Sequence, residues 1–216
     1  MDQNTDSLTN FINSCIERAY LKQSHCTLQI LSIPGMCGET TRHLYNNICS
    51  LKDCKLLEIG CWKGASTIAA AYNNNSLKAT IIDDWSEFGG PRFEFTKNIS
   101  KYIPNHPLQI INEDCFRLKS TLQFALYNIF IYDGPHNIND HENAITSFWK
   151  YLSNICIIVV DDWKWNDVKQ GTLNGLKKVN AHILRQWELK EPIKENKRGV
   201  WNGCCIFLIN KNTSDL

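Results

Sequence analysis

Leu56-Leu57-Glu58-Ile59-Gly60-Cys61-Trp62-Lys63-Gly64-Ala65-Ser66 is the stretch on which the fold hinges. An apolar run closes on an acid, two glycines follow four residues apart, and Ser66 to Tyr72 is compact and helix-compatible. That order reads as a strand, a tight turn and a helix, because glycine tolerates the backbone of a sharp reversal. In parallel α/β sheets such a turn is where ligands bind. The helix N-terminus offers free N–H donors, and a carboxylate at the strand end can hold a cation or a hydroxyl. Taken alone, the spacing also suits an ordinary strand-to-helix turn. It lacks the full G-x-G-x-x-G of dinucleotide sites and the Lys-Ser/Thr ending of a phosphate loop.

Outward from this turn, apolar runs alternate with helical or loop segments, the pattern of a parallel sheet covered on both faces. Strands are predicted at Leu56 to Ile59, Ala79 to Ile82, Leu108 to Asn112, Ile129 to Tyr132 and Ile155 to Val160. Helices are predicted between them at Ser66 to Tyr72, Arg92 to Tyr102, Phe116 to Ala125 and Ile138 to Trp149, with another at Gly171 to Val179. His182 to Leu189 and Cys204 to Asn210 read as a terminal antiparallel pair bridged by a charged loop. Before the first strand, Leu8 to Lys22 has helical apolar spacing, and Thr40 to Ile48 follows the Pro34-Gly35-Met36 turn as a second helix. These two are expected to cap one end of the sheet. The expected organisation is a helical cap over 1–50 and one α/β domain over 51–216.

Bulk composition narrows the function classes. With 23 Lys plus Arg against 22 Asp plus Glu, there is no overall basic field to attract nucleic acid or a membrane surface. The longest apolar run, Ile155 to Val160, is too short to span a bilayer, and Met1 to Ser7 is polar and acidic rather than leader-like. Ten cysteines are scattered without a C-x-x-C pair, which fits reduced thiols acting as small apolar residues. A cytoplasmic setting is expected. A homo-oligomer stays open.

The residues after each predicted strand are unusually acidic: Glu58, then Asp83 and Asp84, Glu113 and Asp114, Asp133 with His136, and Asp161 with Asp162. Any one of them suits a helix cap; five strand ends together suggest a ligand site. Asp83 lies 25 residues after Glu58, near the separation at which an acid hydrogen-bonds both ribose hydroxyls of a nucleoside. Trp85 could stack on its purine or simply pack, and Asp114 could accept from an exocyclic amine.

The run Glu58-Ile59-Gly60-Cys61-Trp62-Lys63-Gly64, with Asp83 and Asp114, resembles the S-adenosylmethionine pocket of class I methyltransferases. The resemblance spans about Lys55 to Asn210. It implies a Rossmann-like three-layer α/β sandwich, with a mostly parallel seven-stranded sheet ending in an antiparallel hairpin. It also implies that Glu58, Gly60 and Gly64 shape the methionine end while Asp83 holds the ribose and Asp114 meets the adenine. The wider implied cofactor set adds Cys61, Trp62, Ser66, Asp84, Trp85, Cys115 and Asp133. Trp62 stands where the family usually has a glycine.

Asp133-Gly134-Pro135-His136, followed 28 and 29 residues on by Asp161 and Asp162, is similar to the metal-dependent macrocin and mycinamicin-type sugar O-methyltransferases and related Asp-Gly-Asp-His enzymes. There the resemblance implies a magnesium or another hard divalent cation on Asp133, Asp161 and Asp162, and His136 as general base. Pro135 replaces the second acid of the tetrapeptide. Converging carboxylates repel, and a hard cation with oxygen ligands resolves that conflict. The implied reaction is methylation of a hydroxyl on a small molecule or glycan. Three loops are candidates for holding that acceptor: Pro34 to Met36, Trp85 to Phe93 and Trp163 to Asp167. Two alternatives stay open, an NAD-dependent oxidoreductase and a catalytically degenerate cofactor-binding module. Nucleic-acid methylation is disfavoured by the balanced charge and the lack of an Asn-Pro-Pro-Tyr tetrapeptide.

Overall fold

The computed structural model describes residues 3–124, 126–190 and 199–211. Its strands are β1 Lys55–Ile59, β2 Lys78–Ile82, β3 Leu108–Ile111, β4 Tyr127–Tyr132, β5 Leu152–Asp161, β6 His182–Leu189 and β7 Cys204–Asn210. They form one sheet in the order β3-β2-β1-β4-β5-β7-β6. Pairing is parallel from β3 to β5 and antiparallel where β7 meets β5 and β6. The strand order reverses at β1, which has β2 on one side and β4 on the other, so a crevice opens beyond the ends of β1 and β4.

The two-residue period of the strands builds two cores. Leu56, Ala79, Ile81, Ile129, Ile131, Ile157 and Val159 face one side, where they pack with α1 (Gln3–Tyr20), α3 (Glu39–Ile48), α4 (Ala65–Ala71) and α5 (Arg92–Tyr102). Leu57, Ile59, Ile82, Phe130, Tyr132, Ile158 and Val160 face the other, against α6 (Ile138–Phe148) and α7 (Asn166–Lys178). These side chains are almost wholly buried, and burying each one stabilises the fold by roughly 1.5–3 kcal/mol. A four-residue helix, α2 (Leu28–Leu31), precedes α3.

Every residue of α3 from Thr40 to Ile48 is buried, although six of the nine are polar. Their side chains serve as clamps. Arg42 donates to the carbonyls of Leu31 and Ile33, Asn46 to those of Ala69 and Tyr72, and Asn47 to those of Cys15 and Gln23. Apart from that of Cys15, inside α1, the carbonyls they reach lie near a helix end or in a loop.

The sequence expectation is corrected in three places. The first two helices do not cap an end of the sheet; α1 and α3 share one core with β1, β4 and β5 and cover a face. No helix forms over Phe116 to Phe124, and Ala125, the far end of that predicted helix, lies outside the described residues. The amides of this stretch are taken by side chains instead: Phe116 donates to Asp114, Lys119 and Ser120 to Glu113, and Gln123 to Gln109. Short acceptor side chains that capture nearby N–H groups compete directly with helix formation. The last helix begins at Asn166, not Gly171. Gly171 and Gly175 are interior positions where α6 comes close; a Cβ would lie 2.2 Å from the Ile138 carbonyl at the first and 2.8 Å from the Ile145 Cβ at the second. Of the charged loop between β6 and β7, residues 191–198 lie outside the described residues.

Candidate functional site

The turn after β1 is left-handed at three alternate residues, Gly60 (φ 80°), Trp62 (φ 44°) and Gly64 (φ 84°). At Gly60 the need for glycine is steric as well, since a Cβ would lie 1.9 Å from the carbonyl oxygen of Asp133 at the end of β4. The turn points successive amides into one concavity, the geometry of a backbone anion nest. That nest is filled from within. The Asp83 carboxylate accepts from Cys61 N at 2.8 Å and Trp62 N at 2.9 Å through Oδ2, and from Trp85 N at 2.7 Å through Oδ1. Asp83 also lines the adjoining cavity, so lone pairs of its carboxylate remain on the open side.

Glu58 lies behind this turn and not on the cavity wall. The strand period turns it toward α4, where it is 1 % exposed and accepts from the Thr67 hydroxyl at 2.6 Å. Burial pushes its carboxyl up to about 7, with the Ser66 and Thr67 hydroxyls opposing and Asp133 and Asp83 reinforcing the shift. Gly64 is also behind the wall, against the Phe95 ring, whereas Cys61, Trp62 and Ser66 line the cavity. The Cys61 thiol is held well above its ordinary range by burial and by Asp83, which leaves it protonated and inert.

Beyond β2, Trp85 packs rather than stacks on a ligand. It is 6 % exposed, with its ring 5.0 Å from Phe95 and its indole N–H donating to the Trp62 carbonyl at 2.8 Å. Asp84 lines the cavity and accepts from Ser86. Beyond β3, Asp114 and Cys115 both line it; Asp114 accepts from Phe116 N and pairs with the exposed Arg117 at 3.5 Å. The aromatic side chains that do reach the cavity are Trp62, Phe88, Phe116, Trp165 and Trp201.

At the ends of β4 and β5 the structure brings together Asp133, His136 and Asp162, whose ligand atoms lie within 4.8 Å of one another. The expected trio of Asp133, Asp161 and Asp162 does not form, for a simple reason. Asp161 is the last residue of β5 and, two residues after Val159, points into the face covered by α3; Asp162 leaves the strand in a left-handed conformation (φ 54°) and points the other way. Asp161 is buried, one of its carboxylate oxygens has no partner, and burial with Asp133 and Asp162 nearby raises its pKa well above the carboxylate range. It lies behind the site, off the cavity wall. His136 Nε2 stands 2.6 Å from Asp162 Oδ2. That bond raises the imidazole's proton affinity over the opposing effect of burial. Burial and the neighbouring Asp162 push Asp133 up to about 7.

Asp83, Asp114, Asp133, His136 and Asp162 border one cavity of about 490 Å³. The three loops predicted to meet an acceptor each contribute: Gly35 and Met36, Ser86 to Phe88, and Trp165. Trp201 and Asn202 were not legible as site residues. They are carried to the rim because the backbone before β7 is tied on two sides, with Trp163 and Lys164 donating to Gly203 and Asn202, and Thr40 donating to Gly199. Pairing of this loop with the end of β5 is a long-range event, and nothing local in Gly199-Val200-Trp201-Asn202 announces it.

A family model described as a methyltransferase domain matches residues 57–163, the segment from β1 to just past β5. No curated protein matches by sequence. Among solved structures, a candidate caffeoyl-CoA O-methyltransferase from Staphylococcus aureus superposes at a TM-score of 0.60 with 14 % identity, covering 97 % of this chain and 100 % of that one. The O-methyltransferase TomG from Streptomyces achromogenes, in complex with S-adenosylmethionine, gives 0.59 and 14 %, covering 91 % and 89 %. A candidate methyltransferase complexed with S-adenosylhomocysteine gives 0.55 and 16 %; the match covers 79 % of this chain but only 49 % of that one, so this chain spans about half its length. The sheet with its terminal antiparallel hairpin therefore has the Rossmann-like fold of these methyltransferases. No helix among the described residues is long and apolar enough to cross a membrane.

Proposed function

We propose that this protein binds S-adenosylmethionine in the β1–β4 crevice and transfers its methyl group to a hydroxyl of a small molecule or glycan. The observation that carries the reading is the Asp83 carboxylate seated in the turn's anion nest. In a dinucleotide site those amides face a pyrophosphate; here a fixed negative charge occupies them, which favours a phosphate-free nucleoside whose ribose hydroxyls can donate to Asp83. The NAD-dependent alternative fares poorly for the same reason. In this reading Asp114 meets the adenine edge, Phe88 and Phe116 replace Trp85 as stacking candidates, and residues 51–216 are the transferase unit.

The catalytic pair is His136 with Asp162. The acceptor hydroxyl gives its proton to His136 Nδ1, the ring nitrogen not engaged by Asp162, as its oxygen attacks the sulfonium methyl carbon; the new O–C bond forms as the C–S bond breaks. The products are an ether, the neutral thioether S-adenosylhomocysteine and an imidazolium stabilised by Asp162. Because the pair raises the histidine's pKa above its ordinary 6.5, turnover should rise with pH through a limb above that value. Asp162→Asn should move the limb down and slow the reaction.

Magnesium fits poorly here. It demands near-octahedral oxygen donors, and the third acid of the expected set is buried elsewhere. Two carboxylates and an imidazole within 4.8 Å suit a borderline ion such as zinc, manganese or iron better. Such an ion would be held by Asp133, His136 and Asp162 and would supply Lewis-acid activation of the hydroxyl; it would also take His136 out of service as a base. Two measurements test the proposal. Titration calorimetry with S-adenosylmethionine and S-adenosylhomocysteine should show binding by the wild type and its loss in Asp83→Ala; no binding by the wild type refutes the proposal. Transfer of labelled methyl after exhaustive chelation separates the dyad, which keeps turnover, from the ion, which does not.

A further inference from the structure

Trp62 stands in a left-handed conformation that suits glycine and costs tryptophan. Strain of that kind persists where the surrounding contacts depend on it. Three hydrogen bonds show which contacts these are. The Trp62 amide donates to Asp83 Oδ2 at 2.9 Å, its carbonyl accepts from the Trp85 indole at 2.8 Å, and its own indole donates to the Phe88 carbonyl at 3.4 Å. The first two fix the Trp62 backbone against the start of the loop after β2. The third reaches the middle of that loop.

The loop has little else to hold it. Trp85 and Pro91 are buried, whereas every residue between them is exposed. Phe88, Gly89 and Gly90 are left-handed in succession, and a Cβ at Gly89 would meet nothing within 4 Å. The other hydrogen bonds of the stretch are local: Ser86 to Asp84, Gly90 N to the Glu87 carbonyl, and Arg92 N to the Gly90 carbonyl. Among the described residues, the Trp62 indole is thus the hydrogen-bond donor that ties residues 86–90 to another part of the chain. A segment with so few buried contacts opens readily once untied. Trp62, Asp83, Ser86, Glu87 and Phe88 all line the cavity, so this tie lies along its wall. Building on the methyltransferase reading, we infer that Trp62 is a positioning residue: its indole straps residues 86–90 over the nucleoside half of the cavity and so sets the Phe88 ring against the adenine while Asp83 takes the ribose. A residue without an N–H donor at this position keeps the backbone bond to Asp83 and leaves the strap untied.

Two measurements on the full chain test this. In the first, a glutamyl endopeptidase is applied to the ligand-free protein and cleavage after Glu87 is timed by mass spectrometry. When opening and closing outpace cleavage, the rate follows the open population. Trp62→Phe keeps a ring and removes the donor; Trp62→Gly removes the strain as well. Both should raise the Glu87 rate about threefold, as expected for one long hydrogen bond, with cleavage after other glutamates unchanged. In the second, S-adenosylhomocysteine is titrated calorimetrically into wild type, Trp62→Phe, Phe88→Ala and the double variant. Trp62→Phe should weaken binding about threefold and Phe88→Ala about tenfold. In the Phe88→Ala background Trp62→Phe should cost nothing further, because it acts through that ring. A general loss of packing would instead raise cleavage at every site and add to the Phe88 effect. The inference is overturned if cleavage after Glu87 is unchanged in both variants, if it rises only together with cleavage elsewhere, or if the two binding losses add. Wild-type protein that binds no S-adenosylhomocysteine refutes the methyltransferase reading, and the Glu87 cleavage rates then still decide whether Trp62 ties the loop.

Discussion

Trp62 is the residue to perturb first, because its conformation and its chemistry disagree. At φ 44° it occupies the left-handed region, which costs an L-residue roughly 1–2 kcal/mol and glycine almost nothing. Its side chain gives some of that back: the indole N–H reaches the Phe88 carbonyl at 3.4 Å, and Lys63 lies 4.5 Å over the ring. Trp62→Ala and Trp62→Gly lose these contacts equally, so their difference isolates the backbone. Alanine keeps the left-handed strain; glycine loses it but gains unfolded-state entropy worth roughly 0.5–1 kcal/mol. Glycine should therefore be the more stable variant by about 0.5–1 kcal/mol, or about 1–4 °C in midpoint for a chain of this size. At an ordinary exposed helical position such as Glu94 in α5 the same two substitutions should rank the other way. Urea unfolding of the four variants, read by far-ultraviolet circular dichroism, measures both differences. If Trp62→Ala proves as stable as Trp62→Gly, the left-handed turn and the account of its packing around Asp83 are wrong.

Further outcomes follow from the same geometry. Gly60→Ala sets a Cβ 1.9 Å from the Asp133 carbonyl, so it should cost roughly 3 kcal/mol or more, whereas Gly89→Ala, with open space around it, should cost only the strain of its left-handed backbone, about 1 kcal/mol; denaturant midpoints compare the two. Glu58 titrates near 7 when folded against an ordinary 4.5, so the fold favours its neutral form. The stability this gives is full below about pH 4.5 and is lost as pH climbs to 7, by roughly 3 kcal/mol. Glu58→Gln should flatten that part of the stability–pH curve, and an unchanged slope would mean that Glu58 is not the group responsible. Asp83→Asn leaves one acceptor oxygen and turns an amide group toward backbone N–H donors; a loss of roughly 2 kcal/mol in unfolding free energy is expected, together with weaker S-adenosylhomocysteine binding by calorimetry.

How far the sequence could be read follows from how local each cause is. The strands and their order of appearance were legible because their cores need continuous apolar runs, and the terminal pair was legible from its two apolar segments around a charged loop. Phe116 to Phe124 misled because its composition suits a helix, while the side chains of Gln109, Glu113 and Asp114 take the amides in practice. Gly171 misled in the opposite sense: a helix-breaking residue read as a boundary is in fact the contact point of α6 and α7, a fact that only packing reveals. Trp85 was balanced between stacking and packing, and burial against Phe95 decided it.

The acids teach the sharper lesson, since residue type and spacing identified the region but not the duties within it. A strand's two-residue period fixes where its last residue points, so Asp161 at the end of β5 is held on the face of Val159, whereas acids beyond the strands, such as Asp83 with Asp84 and Glu113 with Asp114, can share one cavity. For Asp161 and Asp162 that rule removes one of the three expected ligands and leaves its place to His136. The same reasoning separates Glu58, turned inward with Leu56, from the cavity that its neighbours line. What no local rule supplies is the choice Asp83 makes, of binding the turn's own amides. That choice is nonetheless the decisive one for the proposed function: a turn whose anion site is filled by its own chain has no free amides for a phosphate, which is the ground for proposing a nucleoside that donates hydroxyls rather than one that brings charge.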